Sequence, residues 1–290
     1  MSARSRAMPA AADATPLALV CGGGSFPMAV ADSALRDGRP VVLFAIRGFA
    51  DPDSVQRYDH EWIHLGAVEK LISLLRRRGC HDIVIVGNVL RPHWRQIRLD
   101  WLTIRLLPRI LAAMRGGDDH MLSRLAEFVE EQGFALMGAH EVAPDLLVPA
   151  GVLGSVQPRP ADLEDARIGL DVVRTLGPFD VGQGVVVARR HVQAVEAAEG
   201  TDWMLERCAL LRQRGRVKLP DRAGVLVKAP KPGQDRRVDL PSIGRLTVEM
   251  AAKAGLAGIA VEPGGVMAVG MAEMVREADR LGLFIYGIAE

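Results

Sequence analysis

The chain has 290 residues, with 36 Lys and Arg against 35 Asp and Glu, a formal charge of +1 and 49% apolar residues. This balance excludes a broad nucleic-acid-binding face, because neutralising phosphates takes an excess of Lys and Arg. The apolar fraction, punctuated by 30 Gly and 17 Pro, excludes wholesale disorder. The length exceeds the ~150 residues of one comfortable core and favours two domains. Three separated cysteines, Cys21, Cys80 and Cys208, cannot all pair and fit no zinc spacing, which points to a reducing compartment. No run approaches the ~18 consecutive apolar residues of a membrane span, so a soluble protein is expected. Arg4, Arg6 and the apolar stretch ending at Cys21 superficially suggest export. However, Asp13 and Pro16 interrupt the run, and Val20 is a poor small residue before a modified cysteine. Residues 1–14 read as a disordered leader.

From Leu17 apolar runs alternate with helical stretches, the pattern of βαβ units around a mainly parallel sheet. A strand over 17–20 is followed by the turn Gly22-Gly23-Gly24-Ser25-Phe26-Pro27. Pro27 suits the first position of a helix that stops at Gly38. A strand over 41–46 comes next, then an amphipathic helix over 68–78 with Leu71, Ile72 and Leu75 inward and Arg76, Arg77 and Arg78 at its negative end. A strand over 82–89 ends in Gly87-Asn88, where open parallel sheets place ligands. Helices over 99–114 and 118–132 flank Gly116-Gly117, and Pro108 is expected to kink or divide the first.

A strand over 134–139 precedes a crowd of Pro144, Pro149, Gly151, Gly154, Pro158 and Pro160, which reads as a linker. Beyond it come a helix over 161–176, strands over 184–189 and 191–196, a helix over 202–214, a strand over 224–229 and a helix over 242–254. Strands over 256–261 and 266–269, a helix over 271–281 and a strand over 283–288 complete the chain. The expectation is an α/β protein with domains over 15–140 and 156–290 and a linker over 141–155.

Four constellations carry chemistry. First, the backbone amides from Gly22 to Ser25 can converge on a phosphate at the positive end of the following helix, or form a plain tight turn. The run lacks both the Lys-Ser/Thr ending of a P-loop and the GxGxxG spacing. Where a nicotinamide protein presents an acid to the ribose, this chain has Ala45-Ile46-Arg47, which disfavours such an enzyme. Second, Asp118 and Asp119 after Gly116-Gly117 can hold a hard cation such as Mg²⁺, although by themselves they read first as a helix start. His140-Glu141, in the linker, is similarly ambiguous between structural and cleft-lining roles.

Third, Gln183 between Gly182 and Gly184 can present its amide to a ligand, and Thr201-Asp202 reads as a helix cap or as a hydroxyl and anion contact. Fourth and sharpest is the segment from Lys228 to Gly244. Packing does not need a loop of both signs held by prolines. Lys228 and Lys231 can neutralise a diphosphate, and Asp235 and Asp239 can bind Mg²⁺ or orient a water. Ser242 and Gly244 are expected to open a helix facing the same anion. The plain alternative is a solvated loop with weak internal ion pairs.

In this order, Gly22 to Pro27, Gly87-Asn88-Val89, Gly117-Asp118-Asp119, Gly138 to Val142, Asp180 to Gly184, Glu199 to Asp202, Lys228 to Pro232 and Arg237 to Gly244 resemble the LpxI-type UDP-2,3-diacylglucosamine pyrophosphatases of lipid A biosynthesis. The Lys-Ala-Pro-Lys-Pro and Val-Asp-Leu-Pro-Ser-Ile-Gly pieces make the match specific, and it extends from Leu17 to Gly287.

The resemblance implies a cytoplasmic, Mg²⁺-dependent hydrolase that splits its substrate into UMP and 2,3-diacylglucosamine 1-phosphate, with water attacking the β-phosphorus. It implies two domains, the first Rossmann-like, with substrate between them, and a homodimer. Activity would depend on Asp239, with Lys228 and Lys231 as its catalytic companions. Asp239, Asp118 and Asp119 are the metal candidates. Gly23, Gly24, Ser25, Asn88, Gln183, Thr201, Asp202, Pro232, Gly244 and Thr247 are the substrate-binding candidates. Two acyl chains require an apolar groove, for which the helix over 99–114 is one candidate wall, and transient contact with the inner membrane surface. No nucleic-acid partner is expected. Two alternatives stay open: a nucleotide-sugar or dinucleotide oxidoreductase, and a non-catalytic lipid- or nucleotide-binding protein.

Overall fold

The computed structural model describes residues 15–89, 98–113, 118–220 and 222–288, with the side chains of helical residues 109–113 and 118–123 outside that description. The chain divides into two compact units, Met1–Ala143 and Pro144–Glu290.

In the first unit, β1 (Leu17–Cys21), β2 (Val41–Ile46), β3 (His60–Ile63), β4 (Asp82–Val86) and β5 (Ala135–Leu136) form one sheet in the order β3-β2-β1-β4-β5. All its pairings are parallel. Every residue of β1 and β2 is buried, as expected of parallel strands covered on both faces. Helices α1 (Phe26–Arg36), α2 (Pro52–Val55), α3 (Val68–Arg77), α4 (Trp101–Ala113) and α5 (Asp118–Glu131) connect them, and α6 (Ala139–Val142) follows β5. The strand order reverses at β1, which has β2 on one side and β4 on the other. Such a reversal is where open parallel sheets place ligands, at the carboxyl ends of β1 and β4.

Three local expectations need correction. Pro108 does not divide α4, which is one helix. The residue is exposed, so the carbonyl its ring deprives of a partner can be hydrated. The strand expected over 134–139 shrinks to two residues, because Glu141 accepts the Gly138 amide at 2.6 Å and starts α6 there. Neither α2 nor β3 was expected. The run His60-Glu61-Trp62 lacks the apolar continuity of the central strands because β3 is an edge strand.

The second unit holds a six-stranded sheet in the order β6-β13-β11-β9-β7-β8. Its strands are β6 (Gly151–Leu153), β7 (Gly184–Ala188), β8 (His191–Val195), β9 (Val225–Lys228), β11 (Gly258–Val261) and β13 (Phe284–Gly287). The central β13-β11-β9 trio is parallel, and β6, β7 and β8 run antiparallel to their neighbours. The Pro- and Gly-rich stretch after Ala143 thus carries structure of its own, including β6 at one sheet edge. Helix α7 (Pro160–Leu176) packs on one face through Ala166, Leu170 and Val173. Helices α8 (Gly200–Gln213), α9 (Arg245–Lys253) and α10 (Met271–Leu281) cover the other. A separate parallel pair joins β10 (Ser242–Ile243), just before α9, to β12 (Met267–Ala268). No helix among the described residues is long and apolar enough to cross a membrane.

Candidate functional site

The run Val225-Leu226-Val227-Lys228 is buried throughout. Lys228 ends its strand, at the edge where parallel sheets present chemistry. It is 7% exposed, and its Nζ donates to Thr201 Oγ1 at 2.9 Å and to the Ser242 carbonyl at 3.2 Å. An ammonium has three N–H donors. Among the described residues Lys228 has two acceptors and no carboxylate partner, so its charge enters the site uncancelled and one donor is left for a ligand.

The next residues form a braced loop. Pro230 packs against Gly265, and the Pro232 ring occupies the space a side chain at Gly177 would need. Lys231, also 7% exposed, pairs with Asp180. Asp180 adopts a left-handed backbone with φ 54° after the 3₁₀ turn Gly177–Phe179, which aspartate tolerates better than most residues. The Lys231 amide donates to Gln234 Oε1 at 3.0 Å. Asp235 accepts from its neighbour Arg237 through both Nε and Nη2, at 3.0 and 2.8 Å. It also caps the turn whose Val238 and Asp239 amides reach its carbonyl at 3.2 and 3.3 Å. Asp235 therefore braces the loop.

Asp239 is held differently. Its Oδ2 accepts from Gln183 Nε2 at 2.8 Å and from Gln234 Nε2. The two amides fix the orientation of the carboxylate. Gln183 is delivered by the start of β7, whose Gly184 lies opposite Lys228 in register, and its carbonyl accepts the Ala229 amide at 3.2 Å. The fold thus gathers Gln183 before β7, Lys228 at the end of β9, Thr201 in the first turn of α8 and Lys231 and Asp239 in the loop after β9 on one side of the second unit.

Other candidates take structural duties. Thr201 does not cap α8, which begins one residue earlier with Glu199 as its cap. Its hydroxyl instead donates to Glu196 Oε1 at 2.9 Å. Asp202 is exposed in the first turn of α8. Ser242 belongs to β10 and not to the helix, which opens at Arg245 with Gly244 as its cap. The Gly244 amide donates to Thr247 Oγ1 at 3.3 Å. The sequence reading missed Gln234 and Glu196, which act through partners that only the fold supplies.

In the first unit, the Gly22 amide is bonded to the Val86 carbonyl at 3.0 Å. Gly23 and Asn88 exchange backbone bonds of 2.8 and 3.0 Å. Side chains at Gly22 or Gly87 would strike this neighbouring backbone, so these glycines serve close packing. What the loop offers an anion is the pair of exposed residues Gly24 and Ser25 at the amino end of α1. Glu141 caps α6, while His140 Nδ1 is buried with no hydrogen-bond partner among the described residues.

The side chains of Asp118 and Asp119 lie outside the described residues. No group of three His, Cys, Asp or Glu side chains that could hold a metal occurs among those described. Asp239 is the one predicted metal ligand whose side chain is described, and a single carboxylate can serve a cation such as Mg²⁺ that completes its shell with phosphate and water.

Two buried lysines and an amide-held aspartate on an α/β frame make up a protein built to handle an anionic, phosphate-bearing ligand. The family descriptions "LpxI N-terminal domain" and "LpxI C-terminal domain" match residues 16–146 and 149–286, so the chain belongs to the LpxI family. It is 43% identical over 272 residues, 94% of this chain and 97% of the relative, to the UDP-2,3-diacylglucosamine pyrophosphatase LpxI of Caulobacter vibrioides (strain ATCC 19089 / CIP 103742 / CB 15).

Proposed function

We propose that the chain hydrolyses the diphosphate of UDP-2,3-diacylglucosamine, giving UMP and 2,3-diacylglucosamine 1-phosphate in lipid A biosynthesis. The likeness to the Caulobacter enzyme across nearly both full lengths supports the substrate. The observation that carries the chemistry is the buried Lys228 ammonium, with no carboxylate partner among the described residues, across from Gly184, whose neighbour Gln183 holds Asp239. A diphosphate repels an incoming nucleophile until its charge is offset.

In this reading Lys228 gives its remaining N–H to a phosphate oxygen, and Lys231, braced by Asp180, adds positive charge beside it. Asp239 accepts a hydrogen bond from the attacking water and aims its lone pair at the β-phosphorus. A new P–O bond forms there while the bridging bond to the α-phosphate breaks. UMP departs with the bridging oxygen, and a water proton goes to Asp239 and then to solvent. Gln183 and Gln234 hold the carboxylate in place throughout. Mg²⁺ would supply further charge neutralisation, and Asp239 would hold it together with the diphosphate if the carboxylate serves the metal instead of the water. Asp118 and Asp119 stay as second candidates for it.

Incubation with UDP-2,3-diacylglucosamine, with and without Mg²⁺, tests this by release of UMP. In ¹⁸O-water the label should appear in the sugar phosphate and not in UMP. Absence of UMP in both conditions would reject the reading, and label in UMP would reject β-attack. Asp239→Ala should lose nearly all turnover while keeping the fold. The oxidoreductase alternative is not favoured, because Arg47 stands after β2 where a nicotinamide protein presents an acid.

The protein is further proposed to work in the cytoplasm, as a homodimer and in transient contact with the inner membrane. The apolar side chains of α4 described below support that contact. Sedimentation equilibrium tests the dimer.

A further inference from the structure

Glu196 follows β8, where its amide donates to the Gly184 carbonyl at 2.8 Å. Its Oε1 accepts the Thr201 hydroxyl at 2.9 Å, and Thr201 Oγ1 accepts from Lys228 at 2.9 Å. Oε2 is buried and has no hydrogen-bond partner among the described residues. The backbone makes room for this carboxylate. A side chain at Gly184 would collide with Oε2, and one at Gly182, whose φ is +154°, would strike the Glu196 carbonyl. The two glycines that present Gln183 to Asp239 are therefore also the two that admit Glu196.

A hydroxyl has one proton. Given to Glu196, it leaves the Thr201 lone pairs facing Lys228, and a charged acceptor polarises the hydroxyl into a better acceptor itself. Lys231 shows the contrast, since a carboxylate bonds its ammonium directly. Relaying negative charge through a hydroxyl steadies the buried Lys228 ammonium without occupying its third N–H. We infer that Glu196 is a positioning residue that aims Lys228 at the phosphate through the Thr201 hydroxyl. The inference rests on the hydrolase reading above.

The test measures UMP release from UDP-2,3-diacylglucosamine by the full-length chain with Mg²⁺, after circular dichroism has established folding. Glu196→Ala should lower kcat about 10²-fold, the scale of a misplaced catalytic group, with KM within about threefold. Glu196→Gln, which keeps an acceptor for the hydroxyl but removes its charge, should fall between wild type and Glu196→Ala. Thr201→Val should match Glu196→Ala, and the double variant should be no slower than the worse single one, because both act through one lysine. Wild-type kcat in Glu196→Ala, or losses that multiply in the double variant, would overturn the inference. If Glu196→Ala does not fold, Thr201→Ser against Thr201→Val probes the same relay: serine should keep turnover and valine lose it, and equal rates would overturn it. A wild-type chain that releases no UMP would instead sink the hydrolase reading. An active wild type with an unaffected Glu196→Ala variant would sink the relay alone.

Discussion

Lys228 and Lys231 stand three residues apart and are equally buried, yet among the described residues only Lys231 meets a carboxylate. Lys228 instead meets the Thr201 hydroxyl held by Glu196, for which Gly182 and Gly184 leave room, and this can be tested at those glycines. In Gly184→Ala the added methyl meets only the mobile end of Glu196, so the melting temperature should move little while turnover falls. Gly182→Ala meets backbone in a conformation suited to glycine, so it should cost stability as well, on the order of 1–3 kcal/mol by chemical denaturation. A second test concerns the thiols. Burial pushes Cys21 up to about 12 and also raises Cys80 and Cys208. A thiol raised above its unfolded value stays protonated in the fold, so its contribution to stability holds at neutral pH and declines as pH climbs past the unfolded value. At pH 8 none of the three should react readily with a thiol reagent, and all three should react after unfolding in guanidinium. At this scale Lys228, Lys231 and Asp239 were legible, because opposite charges locked among prolines serve no packing need. Gln234 and Glu196 were not, since an amide or a carboxylate outside a charged motif shows its role only once a distant partner is brought to it.

Among the elements, the β7–β8 hairpin turns through Arg189 and Arg190, both left-handed with φ of 50° and 65°. Tight two-residue hairpins demand that geometry, and glycine or asparagine usually meets it. Here Asp165 of α7, 3% exposed, accepts both arginine amides at 2.9 and 2.6 Å. Asp165→Ala should therefore cost about 2–3 kcal/mol in chemical denaturation, the scale of hydrogen bonds to a buried charge. Sequence patterning put strands on both sides of this turn but gave no reason for two arginines in it, because the compensating aspartate lies on another element. Helix α4 carries Trp101, Ile104 and Leu107 exposed at successive three-residue steps, with exposed Arg98 and Arg105 nearby. Such a face suits an anionic lipid surface. Vesicles containing phosphatidylglycerol should sediment the wild-type protein, and Trp101→Asp with Ile104→Asp should abolish sedimentation. Equal binding would remove α4 from membrane contact.

Each unit has its own sheet and its own apolar core. The α/β class and the alternation of elements were legible from Leu17 onward, because buried parallel strands read as continuous apolar runs. The mixed order of the second sheet was not. Its β6 is three residues long inside a stretch rich in proline and glycine, and its pairing with β13 rests on residues more than a hundred positions away. The Lys228 ammonium also has a consequence for the molecule at rest. A buried cation left short of acceptors makes the folded protein more stable with a small anion bound than without one, by mass action. Inorganic phosphate and sulfate should therefore raise the melting temperature in a concentration-dependent way and compete with substrate, and both effects should disappear in Lys228→Met. The residue that receives the substrate would then make the enzyme sensitive to the phosphate content of its surroundings.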